Sequence, residues 1–374
     1  MTLLSLIGRK KPLPDGAPGR MAWHRFRRNP LSVASLVVIG LFALVALLGY
    51  LITPDPTPYC NQQYLELATL KPGTRASFLC LPESSVISAD AGRPCGKEGL
   101  PQLKRNMFVG SPLPYSAVPV RQYRYDGDSI VATPYNGDPV TVHRDEAAIR
   151  QRTFLLGTDT YGRDVLSMMM IGSRVSLSVG FIAIAIALLL GIFLGALAAY
   201  RGGWVDNVIL WLINVVWSIP TVLLVIAITF VLGKGFWQIF VAVGLTMWVD
   251  IARVVRGEVL SIREKEYVEA TRALGYGTFR TLFRHILPNC LGAVVVVAAS
   301  NFASAILLEA GLSFLGIGVQ PPMPSWGMMV KDYYGYLLLD SAYLALLPGA
   351  AIMLIVLAFM LLAGGLRDAL DVRD

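Results

Sequence analysis

Residues Leu31–Ile52 run without a single charged side chain, and this stretch restricts the chain more than any other feature. As a helix rising about 1.5 Å per residue, it would cross a hydrocarbon core about 30 Å thick. Comparable runs occupy Val175–Tyr200, Asn207–Leu232, Pro288–Leu308 and Ser341–Leu366, and a shorter one, Gly235–Val249, passes directly into Asp250. The expectation is an all-α polytopic membrane protein with six transmembrane helices. Charged residues make up only 15% of the chain, against about 25% in a typical soluble domain. The first run is too long for the apolar core of a cleaved signal peptide, and no small-x-small site follows it before Pro54, so it reads as an uncleaved anchor.

The net charge of +7 is distributed by topology rather than as a nucleic-acid footprint. Seven basic residues precede the first run (Arg9, Lys10, Lys11, Arg20, Arg25, Arg27, Arg28) and seven more lie between Arg253 and Arg284. The positive-inside rule puts the N-terminus in the cytoplasm, and six crossings bring the C-terminus and the 253–284 segment to the same side. A multi-pass membrane protein with both termini in the cytoplasm is expected, with the lipid bilayer and no nucleic acid as a partner.

The chain divides into three parts. Residues 1–52 comprise a tail, an elbow and the first span; in the elbow, Trp23 and Phe26 sit among basic groups, as in a helix lying on the inner leaflet. Residues 53–152 are polar and rich in Pro and Tyr. Asp126-Gly127 and Asn136-Gly137 stand beside strand-like runs, the chemistry of tight hairpin turns, so a small β-rich external insert is expected between the first two spans. Cys60, Cys80 and Cys95 fall there, which allows one disulfide without choosing the pair; Cys290 reads as a packing residue. Residues 153–374 hold five further helices. Pro220 and Pro348 are expected to kink theirs, and Trp204, Trp211, Trp217, Trp237 and Trp248 to anchor helix ends.

No catalytic constellation is present in the sequence. His24, His143 and His285 are scattered, with no HExxH or other metal-ligand spacing, and no GxxxxGK[ST] phosphate loop exists. The expectation is therefore a non-enzyme with no catalytic residues, no metal and no cofactor of its own. The informative stretch is the loop 256–290. SIREKEYVEATRALG is helix-like, with Leu260, Tyr267, Thr271 and Leu274 on one stripe. Gly275 and Gly277 break it, and Thr278 is placed to cap a second helix in which Phe279, Leu282, Phe283 and Ile286 recur at helical spacing. Two short amphipathic helices about a glycine turn, set between spans, suggest a docking element.

Glu269-Ala270-Thr271, Gly275 and Leu287-Pro288 resemble the EAA loop of binding-protein-dependent ABC importer permeases, although Thr271 replaces the second Ala and His285 stands where many members have Ile. Leu156–Ser167 (LGTDTYGRDVLS) and Leu312–Pro322 with Pro324-Ser325-Trp326-Gly327 resemble the C-type permease subunit of oligopeptide and dipeptide importers. The likeness covers 21–52 and 154–370; the 53–152 insert lies outside it, and Met168 stands where a basic residue is common. The resemblance implies a MetI-like, type I importer core forming the path for peptides in a bacterial or archaeal cytoplasmic (inner) membrane. It implies as partners two ATPase subunits, which carry the ATP and Mg, a second homologous permease and an external binding protein. It also implies that Glu269, Ala270, Thr271, Gly275, Phe279, Phe283, Leu287 and Pro288 form the coupling loop. Related importers carry nickel complexes or oligosaccharides, so those cargoes remain alternatives.

Asp159, Gly162, Arg163, Asp164, Glu309 and Trp326 are the candidate path or gate residues. Asp159 and Asp164 are expected to cap a short helix whose Val165, Met168, Met169 and Gly172 face the membrane surface. Glu309 either lies in the path or pairs with a neighbouring subunit. A secondary transporter or channel is the rival class. Such proteins place ionisable groups within their spans, whereas Asp206, Asp250 and Glu309 are expected near helix ends.

Overall fold

The computed structural model describes residues 18–82, 110–113, 115–233 and 235–370. Helix α1 (Pro18–Arg28) is the elbow, with Phe26 buried and stacked on Trp23 at 5.8 Å. Asn29 then caps α2 (Pro30–Leu48) by accepting from the backbone N–H groups of Leu31 and Ser32, satisfying donors that the first turn leaves unpaired.

The insert is an antiparallel five-stranded sheet in the order β4-β3-β2-β1-β5. Its strands are β1 (Thr74–Pro82), β2 (Tyr115–Asp126), β3 (Ser129–Pro134), β4 (Val140–His143) and β5 (Ala148–Phe154). Asp126 pairs with Ser129 across a two-residue turn at Gly127-Asp128, as the Asp-Gly signal predicts. One sheet face buries Phe78 and Phe154 against Tyr64 and Leu67. Cys60 is a free, buried thiol that donates to the Asp55 carbonyl at 3.2 Å, so it is not in the disulfide that the cysteine count allows. Cys95 lies outside the described residues.

The remaining helices are α3 (Val165–Arg201), α4 (Gly203–Ser218), α5 (Thr221–Leu232), α6 (Phe236–Arg263), α7 (Glu266–Ala273), α8 (Thr278–Thr281), α9 (Leu287–Phe314), α10 (Trp326–Tyr333) and α11 (Tyr343–Leu370). Among the described residues, five helical stretches are long and apolar enough to cross a membrane, and the pair α4/α5 makes a sixth if its two halves count as one span. These two halves meet at 96°, a break rather than the expected kink. Pro220 forces its predecessor out of the helical region, and Ile219 is extended at φ −94°, ψ 129°. Pro348, by contrast, stays inside α11.

Two spans are longer than their apolar runs suggest. α3 starts at Val165 rather than Val175, so the expected short surface helix is its first turns, and Val165 and Met168 are buried rather than facing the membrane surface. α6 continues through Asp250 to Arg263, which puts Asp250 in mid-helix rather than at an end. Trp211 and Trp248 likewise lie within α4 and α6, not at their ends. α3 and α6 form the centre of the core: a Cβ on Gly195 would lie 2.4 Å from the Ala252 carbonyl oxygen, so the two backbones approach closely. α9 joins α11 through the stacked rings of Phe302 and Phe359, 4.0 Å apart.

Candidate functional site

At the sheet end of the bundle, the 156–167 motif forms a polar lock. Asp159 is fully buried. Its Oδ1 accepts from the backbone N–H groups of Tyr161 and Arg163 at 2.9 and 2.7 Å. Its Oδ2 accepts from Arg163 Nε at 2.7 Å and from the Tyr333 hydroxyl of α10 at 2.8 Å. Burial, with the Asp159 charge adding to it, holds the Tyr333 phenol well above its ordinary range, so it stays protonated and remains a donor. Asp159 therefore organises a turn and an ion pair instead of capping a helix. Asp164 is the cap of α3, accepting from the Ser167 N–H at 3.0 Å and from its hydroxyl. The Asp55 N–H donates to the same Ser167 hydroxyl at 3.0 Å, and Thr158 Oγ1 accepts from Leu70 N–H at 2.8 Å. The segment after α2 is thereby tied to the start of α3.

Gly162 closes the lock. Its φ is +71°, and a Cβ there would fall 1.8 Å from the Tyr64 carbonyl oxygen, so both conformation and space require glycine.

Glu309 and Trp326 prove to be interior residues. Glu309 is fully buried, and its carboxyl accepts from the hydroxyls of Ser176 at 3.0 Å and Ser313 at 2.8 Å. Those serines close it off between α3 and α9, out of reach of solvent. Trp326 donates from Nε1 to the Met169 carbonyl at 3.0 Å and meets Phe42 edge-on at 5.3 Å, so it pins α10 to α3 and α2.

The other end of the bundle is built differently. α7 buries Val268 and Thr271 but leaves Tyr267 exposed, as is Leu274 just beyond it, so only part of the expected stripe faces inward. Glu269 and Ala270 are exposed. Gly275 turns the chain at φ +78° with open space around it. Gly277, rather than Thr278, is the cap residue of α8. A single π-type turn over Leu282–Ile286 joins α8 to α9, with Pro288 in the first turn of α9. Thr281 and Ile286 anchor this hairpin inward, while Phe279 (72% exposed) and Phe283 (52%) project outward with their rings 4.3 Å apart. Leu287 is half-buried and Pro288 exposed. Arg256 of α6 grips Asp206 of α4 through two bonds of 2.6 and 2.7 Å, and Arg263 donates to the Ala199 carbonyl at 2.8 Å. The helix leading into the hairpin is thus fastened to α3 and α4.

Between the two ends, at the α4/α5 break, lies a cavity of about 450 Å³ bounded by α4, α5, α6 and α9. Trp217, Thr221, Thr246, Asp250, Asn301 and Ser304 are its polar lining, and aliphatic residues make up most of the rest. Asp250 Oδ1 accepts from Trp217 Nε1 at 3.3 Å, and the Arg253 guanidinium lies 3.4 Å from the centre of the Trp217 ring. Sequence reasoning missed this group because it took Asp250 for the end of a span. The overlooked signal was a lone carboxylate within an apolar run, opposite a proline break. Among the described residues no cluster of His, Cys, Asp and Glu is arranged to hold a metal.

The family model described as binding-protein-dependent transport system inner membrane component matches residues 187–373, and that of the N-terminal transmembrane domain of oligopeptide transport permease C matches 17–72. The chain is 40% identical over 216 residues to the glutathione transport system permease protein GsiD of Pectobacterium atrosepticum, covering 58% of this chain and 71% of that protein. It is 41% identical over 215 residues to the dipeptide transport system permease protein DppC of Alkalihalophilus pseudofirmus, covering 58% and 70%. With the oligopeptide transport system permease protein OppC of Bacillus subtilis it shares 38% identity over 221 residues, covering 58% and 70%. Among solved structures, the MetNI methionine ABC transporter in an inward-facing conformation superposes with a TM-score of 0.46 at 21% identity, over 56% of this chain and 98% of that one.

Proposed function

Because the chain belongs to the family of binding-protein-dependent transport system inner membrane components, we propose that it forms part of the path for peptides in an importer powered by separate ATPase subunits. It is a permease subunit of an ABC importer. The peptide assignment is drawn from relatives named for dipeptide, oligopeptide and glutathione transport. In this reading the full assembly holds two ATPases, a second homologous permease and an external binding protein. Both termini and the 264–286 hairpin face the cytoplasm.

The observation that carries the proposal is the exposed Phe279–Phe283 pair on a hairpin anchored by Val268, Thr281 and Ile286. Two large rings held in water between spans are a docking surface for an apolar groove. Closure of the ATPases on ATP pushes the hairpin, and α6 carries the movement to α3 and α4 through Arg263 and the Asp206–Arg256 pair. The two permeases then rock between inward and outward access, a two-state equilibrium biased by ligand on another chain. Hydrolysis resets it.

Co-purification from native membranes, followed by ATP hydrolysis with and without peptide-loaded binding protein, tests the reading. The expected result is an assembly of this chain with ATPases and a second permease, stimulated by loaded binding protein. Absence of any ATPase would refute the docking assignment, and ATPases that ignore peptide would refute the cargo alone.

A further inference from the structure

Asp250 stands midway along a membrane-spanning helix and lines the cavity at the α4/α5 break. A carboxylate in that position is costly unless it faces water or a counter-charge. Its structural partner is a single neutral donor, Trp217 Nε1 at 3.3 Å, and among the described residues no basic group lies within ion-pairing distance. Arg253, one turn further on, is the nearest candidate in sequence, but its guanidinium lies over the face of the Trp217 ring instead of pairing with the carboxylate. Asn301 and Ser304 add polar groups to the same cavity, and Leu308 and Leu312 add apolar wall.

We propose that this cavity is a cargo site for a primary ammonium group carried on a small apolar body, with Asp250 as its counter-charge. The inference deepens the importer reading and rests on it, since an amino terminus beside an aliphatic side chain has this chemistry. Asp250 receives the ammonium, Asn301 and Ser304 accept its remaining hydrogen bonds, and the aliphatic wall takes the neighbouring side chain. Trp217 and Arg253 hold the carboxylate in place at the break.

The test uses the assembled importer carrying Ser304→Cys, with the same assembly lacking that substitution as background. Labelling rates are measured for cationic 2-aminoethyl methanethiosulfonate and neutral methyl methanethiosulfonate, each normalised to its rate with a thiol in solution. The cationic reagent is expected to be favoured about tenfold, the scale of one partly screened charge in the same cavity. Asp250→Asn keeps an acceptor for Trp217 and should bring the ratio close to unity, whereas Asp250→Glu should restore it. A ratio unmoved by Asp250→Asn overturns the ammonium site and leaves peptide import standing. Hydrolysis that ignores peptide-loaded binding protein overturns the peptide reading, and the labelling ratio then still decides the cavity.

Discussion

The lock at the sheet end and the hairpin at the opposite end are both glycine-punctuated motifs with several charges, yet the fold completes only one of them. Asp159, Thr158 and Asp164 find their partners inside the chain, from Leu70 to Tyr333. Phe279 and Phe283 have chiefly each other, and Glu269 is in solvent. A motif whose buried carboxylates are satisfied by its own chain is structural. One that leaves apolar rings uncovered has the form of the docking surface proposed above. Changes in the lock should therefore damage the isolated chain, and changes in the hairpin should damage chiefly the assembly.

The largest effect should follow from Asp159→Ala, which leaves the Arg163 guanidinium and the Tyr333 hydroxyl buried without their acceptor. A loss of about 3–5 kcal/mol is expected, read as a fall in thermal stability of the detergent-solubilised chain; an unchanged melting temperature would break the comparison. Gly162→Ala comes next, at about 2–4 kcal/mol, because a left-handed backbone and a clash with Tyr64 coincide. Limited proteolysis of the 53–72 segment should expose it. In the hairpin, the double change Phe279→Ala with Phe283→Ala should move the melting temperature little, since both rings are exposed, while weakening ATPase capture at least about tenfold. Gly275→Val should insert normally and cost only about 1–2 kcal/mol of backbone strain, yet uncouple uptake from hydrolysis; normal uptake would remove the hairpin from the mechanism. The smallest effect is a null one. Burial, with Asp55 adding to it, pushes the Cys60 thiol up and keeps it protonated at neutral pH, so peptide mapping after alkylation should find Cys60 unmodified until the chain is denatured.

Much of the architecture was legible because the bilayer imposes a coarse rule that a single chain must obey. Uncharged runs located the spans, Asp-Gly and Asn-Gly located the hairpins, and amphipathic spacing located the loop between α6 and α9. Two of the misreadings share one cause. The start of α3 holds Ser167, Ser173 and Arg174, which interrupt an apolar run, and Asp250 interrupts another. In both places the helix continues because its polar groups turn towards partners or a cavity instead of lipid. Pro220 was legible as a disturbance, but whether it would bend or break the span depended on Ile219 leaving the helical region.

The sequence by itself determined where the chain crosses the membrane, where it turns, and which loop stands between spans with rings to offer, since each of these follows from local composition and period. It did not determine which carboxylates are structural. Asp159 and Tyr333 lie 174 residues apart, Glu309 is closed off by Ser176 from another span, and Asp250 is left facing a cavity that exists only where four helices meet. The fate of a charge depends on what is brought within about 3 Å of it, and for these three groups that was settled by tertiary packing.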